Sequence, residues 1–213
     1  MDEGAYADGV GEDFLILEYG PHILNMANIQ RLDVVRFDPH ESFQKATGRN
    51  RMLIAGSQGP TLLSIPVLGG RSHHQLYGHT RIDHRLPWKR QHLGALKSNY
   101  GKSAYWIHYS DAITELYEAE MSLLFDWNLH ILQFLVRLLC PDTSIILTEH
   151  RERPGQITVR HNLKHRPEPE LPAYYQVFDQ KTGFLNNLSV FDLLLNVGHP
   201  RARLYLENLN LST

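Results

Sequence analysis

Residues 123–140 read LLFDWNLHILQFLVRLLC. The run has the length of a membrane span, and its reading decides what kind of protein this is. Asp126, Asn128, His130, Gln133 and Arg137 interrupt it. Charged side chains near the centre of a spanning helix cost roughly 2.5–3.5 kcal/mol each on insertion scales. The stretch therefore reads as a core helix of a soluble domain, stopped by Pro141. At about 100° per residue, Asp126, His130, Gln133 and Arg137 fall in one narrow sector, the solvent stripe. Asn128 points almost opposite, onto the face made by Leu124, Leu132, Leu135 and Leu139. A buried amide must find partners, because an unsatisfied one costs about 1–3 kcal/mol. Asn128 either bonds the backbone of a neighbouring loop or lines a cavity.

Working outward, two more helices precede this one. One starts near Pro87, a good first-turn residue, and runs to about Gly101. The next covers roughly 104–119, with Tyr109, Ile113, Leu116 and Tyr117 at helical spacing. Upstream, FLILEY reads as a strand, PHILNMANIQ as a short helix started by Pro21, and DVVRF as a strand closed by Asp38-Pro39. RMLIA and TLLSIPV flank the turn-rich GSQGP, which predicts a hairpin. GGRSHHQLYG is loop, and HTRID is a candidate strand. Downstream, TSIILTE is a strand. HRERPGQITVRHNLKHRPEPELP is a polar excursion without apolar period. AYYQVF returns as a strand, and SVFDLLLNVG closes with a helix. These elements predict an α/β single domain over residues 14–213, with a mixed β-sheet, a β-hairpin and three consecutive helices in mid-chain.

Composition bounds the partners. Lys and Arg number 21 against 23 Asp and Glu, a balance that argues against a dedicated nucleic-acid binder. The single cysteine, Cys140, excludes an internal disulfide framework and any CxxC zinc site; at the end of an apolar helix it reads as core. The acidic MDEGAYADGVGED, residues 1–13, lacks the features of a signal or transit peptide and reads as a disordered leader. The expectation is a cytoplasmic protein with no membrane span. No cofactor is legible, since GxSxG, Walker A, GxGxxG and HExxH motifs are all absent. His73, His74, His79 and His84 lack ligand spacing, so no metal is expected.

Three places carry misplaced polar chemistry. In the helix after Pro87, Trp88, Gln91, His92, Ala95, Asn99 and Tyr100 share a face on the helical wheel. That mixture of rings and amides suits a pocket wall rather than a core. His92 is a candidate general acid or base, or else a satisfied core histidine. In NLSVFDLLLNVGHP, Ser189 and Asp192 form a near capping box, with Gly198 and Pro200 as a stop. Asn187 and Asn196 are left without a capping task, and an open helix start there would suit an anion. In FQKATGRNR, residues 43–51, alternation from Arg49 puts Arg49 and Arg51 on one strand face with Leu53, opposite Asn50, Met52 and Ile54. Two guanidiniums with Lys45 nearby make either a solvated strand edge or a bidentate site for phosphate or carboxylate.

The ordered series QKATGRNR, PWKRQHLGALKSNYGKSAYW, FDWNL and YYQVFDQKTGFLNNLSVFDLLLNVG resembles the WbqC-like family, and in particular its shorter branch. The similarity runs from about residue 15 to 199. It implies that the signature polar residues are Gln44, Lys45, Arg49, Asn50 and Arg51, then Trp88, Gln91, His92 and Tyr100, and finally Asn128, Asn187, Ser189, Asp192 and Asn196. Two departures stand out. ILEYGP keeps only Tyr19 and Pro21 of the family's glutamine- and proline-bearing opening pattern. The polar stretch after Arg151 also replaces a helix-strand unit of the longer members. The resemblance implies a role in surface polysaccharide and O-antigen biosynthesis, as an acyl- or aminoacyl-type transferase acting on an amino sugar or nucleotide sugar. The expected partner is an anionic small molecule, with His92 catalytic and the other signature residues binding substrate. The alternatives are a non-catalytic ligand-binding or scaffolding protein and, more remotely, a nucleotidyltransferase-like domain.

Overall fold

The computed structural model describes residues 15–69, 75–150 and 169–211. The expected leader and residues 151–168 of the polar excursion lie outside them, as do residues 70–74 of the GGRSHH loop. The element order is α1 (Ile23–Gln30), β1 (Val34–Phe37), β2 (Arg51–Gly56), β3 (Gly59–Ser64), α2 (Trp88–Tyr100), α3 (Trp106–Glu118) and α4 (Leu124–Leu139). Then come β4 (Ser144–Leu147), the four-residue α5 (Asp179–Thr182), α6 (Val190–Val197) and α7 (His199–Glu207). A 3-10 turn occupies Tyr77–His79.

The α/β class holds, with both strand senses present. β1 and β4 pair in parallel, Val34 opposite Ser144, while β2 and β3 form the expected antiparallel hairpin, Arg51 opposite Ser64. A parallel pair needs a long crossover, and here the hairpin and all three mid-chain helices lie within it. Alternation along β2 is as the spacing predicts: Met52 and Ile54 are buried, whereas Leu53 is exposed.

α4 is the interior helix. Leu124, Trp127, Ile131, Leu132, Leu135 and Leu139 are all essentially inaccessible, and Asp126, Gln133 and Arg137 are exposed. Full burial of such side chains stabilises by roughly 1.5–3 kcal/mol each, so the solvent stripe costs the helix nothing in packing. Among the described residues no helix is long and apolar enough to cross a membrane.

Four expectations fail locally. FLILEY is no strand from Leu15 onward: its backbone makes isolated bonds, Leu15 N–H to the Arg36 carbonyl and Tyr19 N–H to that of Gly48. AYYQVF belongs to no strand, and its last two residues, Val177 and Phe178, form a turn. HTRID contributes only single bridges, Ile82 to Val67 and Arg81 to Leu123. Gly198 and Pro200, expected as a helix stop, instead join two helices. Gly198, at φ 77°, ends α6, and Pro200 lies in the first turn of α7, where its missing N–H is no loss.

Candidate functional site

The FQKATGRNR loop leads into β2. Ala46 adopts a left-handed φ of 65°, held by a bond from its N–H to Asn50 Oδ1 at 3.1 Å. Asn50 Nδ2 donates to the Ile65 carbonyl at 3.1 Å, tying the loop to the residue that follows β3. Gly48 is needed for close approach, since a Cβ there would lie 2.5 Å from a Glu18 carboxylate oxygen.

The two arginines have different fates. Arg49 is 4% exposed and its fork is filled: Nε reaches Glu41 Oε1 at 3.0 Å and Nη2 reaches Oε2 at 2.6 Å. The guanidinium also lies 5.7 Å from the centre of the Tyr77 ring. Arg51, half-buried at the start of β2, has a buried Nε without a hydrogen-bond partner. Among the described residues nothing pairs with its guanidinium. Gln44 and Lys45 are exposed beside it in the chain.

Asn128 resolves toward the loop-bonding alternative. Its Nδ2 donates to the Arg49 carbonyl at 2.6 Å and to the Tyr77 hydroxyl, while Oδ1 is buried without a partner. The helix thus holds the main chain that carries Arg49 against it. Burial pushes the Tyr77 phenol well above its ordinary pKa.

His92 is 4% exposed. Its Nδ1 lies 2.8 Å from the Tyr19 hydroxyl, which lies 2.5 Å from that of Tyr117. Trp88 meets the imidazole edge-on at 5.3 Å and Trp127 at 4.9 Å. Desolvation lowers the His92 pKa to about 4, opposed by a main-chain hydrogen bond with Ser64. The ring is neutral near pH 7. Ser64 is the cross-strand neighbour of Arg51, so His92 and the unpaired guanidinium meet the same end of the hairpin.

Gln91 is exposed rather than inward. The buried stripe of α2 is Trp88, His92, Leu96 and Tyr100. Its centre is displaced from Gln91 by about 120° around the helix.

A second polar group occupies the far end of β2, some 13 Å along at about 3.3 Å per residue. Tyr100 receives the Ala55 N–H at 2.9 Å and donates to Asp192 Oδ1 at 2.7 Å. Asp192 Oδ2 accepts from the Tyr174 hydroxyl at 2.5 Å and from Gln176 Nε2 at 3.0 Å. Burial raises the Asp192 pKa, and these donors oppose the rise. Asn196 Nδ2 donates to the Asp192 carbonyl.

Ser189 caps α6 through the Phe191 N–H, and Asn187 Oδ1 accepts the Leu24 N–H in the first turn of α1. Asn187 therefore does cap a helix, one distant in sequence, from a left-handed φ of 48° that asparagine tolerates. The Val190 N–H is taken by the Pro21 carbonyl, so the start of α6 is closed to an anion.

The residues marked out by the resemblance thus form two polar groups at opposite ends of one strand. Arg49, Asn50, Arg51, Trp88, His92 and Asn128 gather at the start of β2, and Tyr100, Asp192 and Asn196 at its end. Asn187 and Ser189 lie between, the Ser189 N–H bonding the Leu53 carbonyl. A cleft of about 310 Å³ lined by Pro172, Arg201, Leu204, Tyr205, Asn208 and Leu209 contains none of them. Among the described residues no three metal-ligating side chains cluster. Sequence reasoning missed Glu41, Tyr77, Tyr117, Tyr174 and Gln176 as partners. A signal existed for the last two, because the period of two within AYYQVF puts Tyr174 and Gln176 on one side.

The chain matches the WbqC-like protein family over residues 18–165. No curated protein and no solved structure matches it. On the family match, which covers more than half of its length, the chain belongs to the WbqC-like family.

Proposed function

We propose that this member of the WbqC-like family is a transferase that places an acyl or aminoacyl group on an amino sugar, carried as a nucleotide sugar, during surface-polysaccharide (O-antigen) assembly. One observation supports it above the others. The half-buried Arg51 has a buried Nε–H without a partner, at the hairpin end that also holds His92. Leaving such a donor unsatisfied costs about 1–3 kcal/mol, and a phosphate or carboxylate restores the lost bond as a charge-assisted one. Arg51, with Lys45, holds the anion. Arg49 serves instead to fix the loop, because Glu41 already occupies its fork.

In this reading the acceptor amine attacks the carbonyl carbon of an activated acyl donor. The N–C bond forms, the amine proton passes to His92, and the donor's leaving group departs and is protonated in turn. Gln44 and Gln91 present exposed amides to the substrate. Asn50, Trp88 and Asn128 hold the walls at that end, while Tyr100, Asn187, Ser189, Asp192 and Asn196 brace the scaffold farther along β2.

His92→Gln tests the assignment, because an amide keeps hydrogen bonding and loses the proton acceptor. Binding of nucleoside-diphosphate amino sugars, followed by calorimetry, should persist, while product formation by mass spectrometry should fall by at least about 10²-fold. Undiminished turnover in this variant overturns the role of His92. A second reading, a non-catalytic ligand-binding protein, is favoured by the 4% exposure of His92. It predicts the same binding with no turnover by the wild type.

A further inference from the structure

Each hydroxyl and the neutral ring in the Tyr117–Tyr19–His92 chain has one hydrogen to give. The oxygens of Tyr19 and Tyr117 are 2.5 Å apart, and Tyr19 lies 2.8 Å from Nδ1. Tyr19 is fully buried and Tyr117 is 3% exposed, so an unused hydrogen has no water to meet.

Only one arrangement uses both hydroxyl hydrogens. Tyr117 donates to Tyr19 and Tyr19 donates to Nδ1, which leaves the ring hydrogen on Nε2. In the opposite arrangement Nδ1–H donates to Tyr19 and Tyr19 to Tyr117. The Tyr117 hydrogen then has no acceptor among the described residues.

We infer that Tyr19 is a positioning residue: its hydroxyl, oriented by Tyr117, fixes His92 as the Nε2–H tautomer and covers the nitrogen that carries the lone pair. For the transferase reading, on which the functional meaning rests, a proton taken up by His92 goes onto Nδ1, beneath Tyr19. The amine proton of the proposed transfer therefore reaches the ring through Tyr19, whose hydroxyl gives its hydrogen to Nδ1 as it takes the substrate's. This places Tyr19 in the site, although the opening motif around it is otherwise eroded in this chain.

The test is the long-range ¹H–¹⁵N correlation spectrum of the histidine ring in the full-length protein near pH 7, which tells which nitrogen carries hydrogen. The wild type should show His92 as a single Nε2–H form. Tyr19→Phe removes the donor to Nδ1 while keeping the ring, and should abolish the single-tautomer pattern. Tyr117→Phe leaves Tyr19 in place and should preserve it. An Nδ1–H wild type, a Tyr19→Phe spectrum identical to the wild type, or a switch to Nδ1–H in Tyr117→Phe overturns the inference. The wild-type spectrum decides even if a variant does not fold. Absence of turnover removes the transferase reading alone and leaves the tautomer result standing.

Discussion

Asn128 and His92 entered as anomalies of one kind, polar side chains on apolar helix faces, and the structure treats both as tied residues. Asn128 binds the Arg49 main chain and His92 binds Tyr19. The misplacement was legible because helical periodicity fixes which face a residue occupies. The partners were not, since Tyr19 and His92 are 73 residues apart and local pattern carries no information about such contacts. His92 also yields a pH prediction. Its folded pKa, about 4, lies below the ordinary value near 6.5. Between those values the unfolded chain binds the extra proton. The His92 contribution is therefore fully present above about pH 6.5 and is lost as pH falls toward 4, a change of about 3 kcal/mol. Asp192, whose pKa burial raises, acts with the opposite sign. Urea unfolding at pH 7.5 and 4.5 should show this loss in the wild type and a clearly smaller one in His92→Gln.

At the scale of elements, the three mid-chain helices and the hairpin were legible because each carries its own period or turn. The segments read wrongly lack that self-sufficiency. Leu15–Gly20 and AYYQVF alternate like strands, yet tertiary partners rather than a neighbouring strand satisfy them: the Gly48 carbonyl bonds Tyr19, and Asp192 bonds Tyr174. Helix α7 was hidden by a glycine and a proline, residues that stop helices as readily as they start them. Gly198 combines φ 77° with ψ 159°, a region nearly closed to other residues. A Cβ there would sit 2.5 Å from the Tyr105 ring. Gly198→Ala should lower stability by about 1–3 kcal/mol, measured by urea denaturation, whereas the same change at exposed Gly94, with open space around it, should not.

Over the whole molecule, β2 is the spine to which both polar groups attach, one at each end. The expectation of one cavity lined by every signature residue gives way to a division of labour. Asp192, Tyr100 and Gln176 bind distant segments together, while at the other end Arg51 Nε, Trp88 Nε1 and Asn128 Oδ1 are buried without hydrogen-bond partners. Sequence could place three cations together but not rank them, because Glu41 lies outside the motif and decides which arginine is consumed. Arg49 is a poor probe of ligand binding for that reason: its removal strands a largely buried carboxylate, at a cost of several kcal/mol. Arg51 is the clean one. Calorimetric titration of the wild type and Arg51→Ala with a nucleoside-diphosphate amino sugar tests the anion site directly. The predicted result is at least a tenfold loss of affinity, about 1.4 kcal/mol, with the fold intact; equal affinity in the two proteins would contradict it.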